Sequence, residues 1–389
     1  MLKGLNWGHR RASGPMDAVS RAAKEKLGFE IIWDQQSLNG FEHGLTPDIA
    51  DRYDLIVFDH PFCGDISAQR LMQPLTNCLQ GLDGKSFIGD SLASYRFANE
   101  LWGLPIDGAT QACVYRPDIM AAEKMPNDWS DVVQLGRSLR QQDKWLVLPS
   151  LSPHGFLLLL GLCAALGSPW PNKPLAPLDV QTIKRAVKAL LEVSALAHPA
   201  GRGWNAIDAH EAMSRSDDLV YCPAMYVYTT YAERGHGSPL AFAPFPGPDG
   251  SPKGTVLGGT GLGITRSCRN LEHAFKLITF LAGADVQTKL MMEHHGQPAR
   301  VEAWQGCQAD GLFRGSHKNL CTTMESAWTR PRFAGYIVWQ DASGKLVERL
   351  LAGDLSEQAF LDALIRSWEK LGPERSPVSD KGNELQGAP

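Results

Sequence analysis

The chain has 389 residues, of which 43% are hydrophobic and 21% charged, and a formal net charge of -4. That length is enough for two domains, each with its own core. With so small a net charge and no long basic run, the composition offers nothing for nucleic acid or an anionic membrane surface to bind, and no apolar run reaches the length of a membrane-spanning helix.

At the amino terminus, MLKGLNWGHRRASG has neither the apolar core nor the small-residue cleavage site of a signal peptide. The expectation is a cytoplasmic protein as encoded; the alternative is a periplasmic one whose signal sequence was removed. Leu2 to Trp7 predicts a strand, Gly8 to Arg11 a polar loop, and Asp17 to Leu27 a helix. Phe29 to Trp33 predicts a second strand. Asp54 to Phe58 (DLIVF) is a short run with apolar residues at its last four positions, as in a strand buried in a parallel sheet. This alternation is the βαβ grammar of an open parallel sheet, so the class is α/β. Gly103 to Tyr115 predicts extended, crossing chain. Helices are expected at Asn127–Arg140, Phe156–Leu166 and Asp179–His198, the last amphipathic through Ile183, Val187, Leu190 and Leu191. Trp145 to Leu148 predicts a strand. Leu219 to Tyr231 is an apolar strand broken by Pro223 and followed by a tyrosine-rich segment.

Ala241 to Arg300 organises the rest. A Pro/Gly-rich turn (Pro244, Pro246, Gly247, Pro248, Gly250) leads to a strand ending at Leu257. Gly258 to Gly261 carries only small side chains, as a chain crossing between bodies or approaching a ligand would. A short strand from Leu262 to Thr265 follows. Asn270 then caps a helix with Ala274, Leu277, Ile278 and Leu281 at helical spacing. The last long helix is expected at Leu355–Leu371, with a disordered tail over 372–389. The eight cysteines are scattered without a CxxC pair, which predicts free thiols in a reducing compartment.

These features, in this order, resemble family 1 extracellular solute-binding proteins, the sugar receptors of ABC importers. The resemblance is carried by the Pro-Gly-Pro-Asp-Gly turn with its Gly-rich crossing and helix, by HGQPAR from His295 to Arg300, and by LVERLLAGDLSEQAFLDALIRSW. Upstream it is carried by ACVYRPDIM and Pro126-Asn127-Asp128-Trp129. It implies a two-lobe, type II periplasmic-binding-protein-like fold with a ligand cleft between discontinuous lobes. Lobe one is expected at 1–108 and 263–303, lobe two at 109–262 and 304–371. The implied function is capture of a small polar ligand, a carbohydrate, by hinge closure in a monomer. The partner would be an ABC permease if the chain is exported. The alternative is a cytosolic sensor or enzyme on the same scaffold that binds a small anionic metabolite.

Ligands in open parallel sheets bind outside the carboxyl ends of the strands. That rule selects Trp7, His9 and Arg10 after the first strand and Asp59 and His60 after DLIVF. Trp7 also reads as a core residue, and Asp59 and His60 as loop caps. Tyr226 and Tyr228 share a face if extended, and the resemblance implies that an aromatic after Pro223 stacks on the ligand. Asp107 in the first crossing and Thr260 in the Gly-rich one join the candidate set. Trp339 lies where the resemblance implies a late aromatic wall, and reads equally as core. The arginines beside Trp7 suit a carboxylate or phosphate, which keeps an acidic ligand in play. His210-Glu211 lacks the second histidine of a zinc protease, GTGLG is one residue short of a dinucleotide fingerprint, and no GxSxG or Walker sequence occurs. No catalytic residue, metal site or cofactor is expected.

Overall fold

Every side chain of Leu55–Phe58 is apolar and buried, as a strand covered on both faces requires. In the computed structural model, which describes residues 1–235 and 237–371, this segment is β3 of an eight-stranded sheet. The other strands are β1 (Leu2–Trp7), β2 (Ile31–Gln36), β6 (Leu104–Tyr115), β7 (Trp145–Leu146), β8 (Leu219–Tyr226), β9 (Ala241–Ala243) and β10 (Leu257–Ile264). A separate hairpin is made by β4 (Arg96–Phe97) and β5 (Glu100–Leu101). The order β2-β1-β3-β10-β6-β8-β7 begins parallel, as the βαβ grammar requires. It turns antiparallel where β10 enters beside β3. The tail expected at 372–389 lies outside the described residues.

The twelve buried residues of β6 change partners along their length. Leu104 to Thr110 faces β10, and Gln111 to Tyr115 faces β8, with β9 also joining near Tyr115. The glycine-rich stretch expected as a break is part of one continuous strand, β10, with a bulge between Thr260 and Gly261. Glycine is needed there for two different reasons. A Cβ on Gly258 would stand 2.5 Å from the Tyr226 ring, and Gly259 has φ +99° with Asp107 O 2.3 Å from where its Cβ would be.

The first helix differs from the sequence expectation. It runs Arg10–Leu27, not from Asp17, because His9 caps it by accepting a hydrogen bond from Arg11 N (3.1 Å). Pro15 sits inside this helix. Gly28 ends it with a left-handed φ of 79°. Asn270 caps its helix as expected, while Asp179 caps the helix Val180–Ser194 and Ser356 the last one, Glu357–Glu369. The apolar helix is His154–Ala165, starting two residues earlier than Phe156. It packs against Tyr336–Ala352, a helix the sequence reading did not separate from its neighbours. Among the described residues no helix is long and apolar enough to cross a membrane, and all eight cysteines are free.

Candidate functional site

Strand ends build one pocket, as the rule for open sheets requires. Trp7 closes β1 and Asp59 follows β3, while Tyr226 ends β8 with Tyr228 two residues on. Gly258, Gly259 and Thr260 of β10 also line it, and the glycines leave room because they carry no side chain. Arg11 enters from the first helix, Phe41 and Glu42 from the short helix Leu38–His43, and His154 and Leu157 from His154–Ala165. Arg330, Ile337 and Gln340 complete the wall. The space between these side chains is about 640 Å³, counting the part open to solvent. It has flat apolar faces: the Trp7 and Phe41 rings lie 5.1 Å apart, and the Arg11 guanidinium lies 4.6 Å from the Tyr228 ring.

Two guanidiniums are buried here, each matched by a carboxylate. Arg330, 3% exposed, donates through Nη2 to Asp59 and through Nη1 to Gln340 Oε1 at 3.1 Å. Arg11, 4% exposed, donates from Nε to Asp107 Oδ2 and from Nη1 to Val227 O, both at 2.8 Å. Burial works against the Asp59 charge, but the guanidinium of Arg330 and the neighbouring His60 outweigh it and hold the carboxyl down at about 2. At Asp107 burial wins over Arg11, and the carboxyl titrates above its ordinary value. Burial pushes the imidazoles of His60 and His154 down to about 4. It also raises the Tyr226 and Tyr228 phenols.

Buried polar atoms in this wall that meet no hydrogen-bond partner among the described residues include three, the Tyr226 hydroxyl, the Thr260 hydroxyl and Arg330 Nε, alongside Trp7 Nε1, Asp59 Oδ1 and His154 Nε2. A polar atom left unpaired in the interior is unfavourable by about 1–3 kcal/mol, so three at one pocket mark a place where a ligand's own hydroxyls supply the partners.

Of the residues selected from sequence, Trp7, Asp59, Tyr226, Tyr228 and Thr260 come together in this wall. His60 is fully buried behind Asp59, its Nδ1 3.1 Å from Asp59 Oδ1. Asp107 sits behind the pocket and holds Arg11. His9 caps the first helix, and its ring meets the edge of Tyr228 with centroids 4.8 Å apart. Arg10 turns away to Glu233 Oε2 at 3.3 Å and to Thr230 O. Trp339 is 4% exposed inside an aromatic cluster with Phe156, Trp170, Tyr336 and Trp368, and its indole donates to Ser367 Oγ at 2.9 Å. Glu42, His154, Arg330 and Gln340 were not selected. Arg11 was noted only with its neighbours, because the polar loop assigned to Gly8–Arg11 hid the helical phase that turns it inward. Among the described residues no cluster of three or more His, Cys, Asp or Glu could hold a metal ion.

A family model described as bacterial extracellular solute-binding protein matches residues 17–306. Among curated proteins no sequence matches. Solved structures match over almost the whole chain. Maltose-bound MalE3 of T. maritima gives a TM-score of 0.79 at 15% identity, covering 95% of this chain and 98% of that one. A solute-binding protein of an ABC transporter from Thermotoga lettingae, bound with α-D-tagatose, gives 0.80 at 17% identity, again covering 95% and 98%. One from Agrobacterium radiobacter K84 in complex with ribitol gives 0.79 at 16% identity with the same coverage. At these identities the likeness carries the fold, and the α/β periplasmic-binding-protein-like architecture expected from sequence is the one found.

Proposed function

The chain belongs to the bacterial extracellular solute-binding protein family, and on that premise we propose that it captures one small, uncharged, polyhydroxylated molecule in the pocket at Trp7, Asp59 and Tyr226. The observation that carries this reading is the set of unpartnered buried groups, Tyr226 hydroxyl, Thr260 hydroxyl and Arg330 Nε, between aromatic faces. Aromatic faces take the C–H side of a sugar ring, and the polar groups take its hydroxyls. The solved neighbours named above hold maltose, tagatose and ribitol, molecules of this chemistry.

The competing ligand, a small acid, meets guanidiniums that are already engaged. At Arg330, where only Nε is left to donate, or at Arg11, it would bring a second carboxylate to a buried guanidinium whose charge Asp59 or Asp107 already matches.

We take 1–108 with 263–303 as one lobe and 109–262 with 304–371 as the other. The exchange of partners along β6 near Thr110 supports a boundary there. The pocket would then take Trp7, Glu42 and Asp59 from one lobe and His154, Tyr226 and Arg330 from the other, so that closing them excludes water from the ligand. The receptor acts as a monomer and hands its ligand to an ABC permease. That delivery requires export. The family description carries the extracellular reading and the eight free thiols carry the cytoplasmic one, so recovery from a periplasmic rather than a cytosolic fraction decides between them.

The test is thermal melting with maltose, tagatose, ribitol and a set of small carboxylates. A ligand at a hundred times its Kd adds about 2.7 kcal/mol to the native state. A rise with a neutral polyol supports the reading. A rise with carboxylates alone overturns it.

A further inference from the structure

We propose that Glu42 contacts the ligand as an uncharged carboxylic acid, donating its proton as a hydrogen bond to an acceptor oxygen of the bound molecule. The inference rests on the polyol reading of the pocket and adds a specificity residue with a defined charge state.

Glu42 stands in the pocket wall next to Phe41 on the helix Leu38–His43. Among the described residues the nearby cations are already paired with other carboxylates. On its own helix, His43 Nε2 is turned to Asp341 Oδ1 at 3.0 Å. After β3, Asp59 is paired with Arg330, whose other Nη atom serves Gln340. The helix Tyr336–Ala352 contributes the carboxylate Asp341. The helix His154–Ala165 contributes His154, whose Nε2 lies 3.5 Å from Glu42 Oε1, too far for a good hydrogen bond. From the end of β8 come only the phenols of Tyr226 and Tyr228.

Glu42 therefore shares its surroundings with two carboxylates, Asp59 and Asp341, and with the two cations already paired to them, Arg330 and His43, whose imidazole the bond to Asp341 holds up at about 9, so a third negative charge there has no partner of its own. Burial pushes its carboxyl up to about 8; His43 and Arg330 oppose the shift, and Asp59 and Asp341 add to it. His154 is itself held neutral, so it does not supply the missing positive charge. A protonated carboxyl donates as well as accepts, whereas a carboxylate only accepts. Among the described residues the acid proton meets no acceptor at hydrogen-bond distance, which leaves it for the ligand.

Maltose, tagatose and ribitol do not ionise between about pH 6 and about pH 9, so any change of their affinity in that range belongs to the protein. Calorimetric titration of whichever of the three raises the melting temperature should find the wild type about tenfold weaker at about pH 9 than at about pH 7. Glu42→Gln keeps a donor without an ionisable proton. It should bind within about threefold of wild type at about pH 7 and show no fall at about pH 9. Glu42→Ala should bind weakly at every pH. A wild type with constant affinity overturns the proposal. So does a Glu42→Gln protein that keeps the fall, which would assign it to His43. If none of the three sugars raises the melting temperature, the polyol reading of the pocket falls first and takes this inference with it.

Discussion

Removing the Asp59 carboxylate would leave the Arg330 guanidinium buried with only Gln340 for company. Breaking a buried pair from one side destabilises by about 3–5 kcal/mol. Asp59→Ala should therefore lower the stability of the ligand-free protein in urea denaturation, by at most that order because an open cleft returns Arg330 to water, and adding Arg330→Met should recover much of it. A single variant as stable as wild type would mean that solvent reaches Arg330. Glu42 adds a pH dependence whose sign follows from its carboxyl, which titrates at about 8 in the fold against an ordinary 4.5. A raised folded pKa gives stability that is fully present below the ordinary value and is lost as pH rises through the folded one. His60 and His154, both lowered to about 4, act the other way. Their contribution is present above the ordinary histidine range and is lost as pH falls through about 4. Because 19% of the Glu42 side chain still meets solvent, its effect is a few kcal/mol at most. Ligand-free Glu42→Gln should melt with wild type at about pH 4.5 and above it at about pH 8.5; equal melting at both would show that Glu42 titrates normally. Trp7 and Asp59 were legible in the sequence because strand ends are readable and open sheets bind there, and Tyr226 because it shares a face with Tyr228 after Pro223. Arg330 was not, because it reaches the pocket from a loop whose position depends on packing far away in the chain. Trp339 was ambiguous for a related reason, since an aromatic at a helix start reads the same whether it faces a ligand or Trp368.

The glycines of β10 do at the element level what no side chain could. Gly258 lets the Tyr226 ring come close against the strand, and Gly259 takes a left-handed φ beside the Asp107 carbonyl. Gly259→Ala meets backbone, which cannot move aside, so it should reduce stability by about 1–2 kcal/mol or more. Gly258→Ala meets a ring that can swing. Its main effect should be on the pocket, with ligand affinity down about tenfold and little change in denaturation midpoint. If Gly258→Ala binds as wild type does, Tyr226 is not held by the strand. The sequence announced that small residues were needed here but not why: GGTG looks the same as a chain break and as a bulged strand pressed against an aromatic ring. The first helix shows the opposite failure. Gly14-Pro15 carried the signals of a terminus, while His9, an uncommon cap, gave no warning that the helix starts at Arg10. Asn270 was readable because it caps in the ordinary way; Asp179 and Ser356 cap likewise but had been placed inside their helices.

For the whole molecule, the two proposed lobes are bridged at the pocket by groups that also contact the ligand-facing space. Asp59 and Arg330 stand on opposite sides of the proposed boundary, and so do Arg11 and the Val227 carbonyl. Opening the cleft would separate both pairs and return their charges and dipoles to water. That exchange is nearly balanced, because exposed ion pairs contribute little and buried ones repay their desolvation only with good geometry. A bound polyol shifts the balance because Tyr226, Thr260 and Arg330 Nε all belong to 109–262 and 304–371 while Trp7 and Glu42 belong to 1–108, so one ligand meets both sets at once only in the closed form. Small-angle scattering should therefore give a smaller radius of gyration with saturating ligand than without. It should also distinguish the bridge from the ligand: Arg330→Gln removes one closing pair without touching either lobe's core, so the ligand-free variant should scatter as a larger particle than ligand-free wild type. The same variant should bind more weakly, since a protein that favours the open form must spend part of its binding energy on closing. Identical profiles for wild type and Arg330→Gln, each with and without ligand, would mean that the lobes do not move and that the pocket fills without closure.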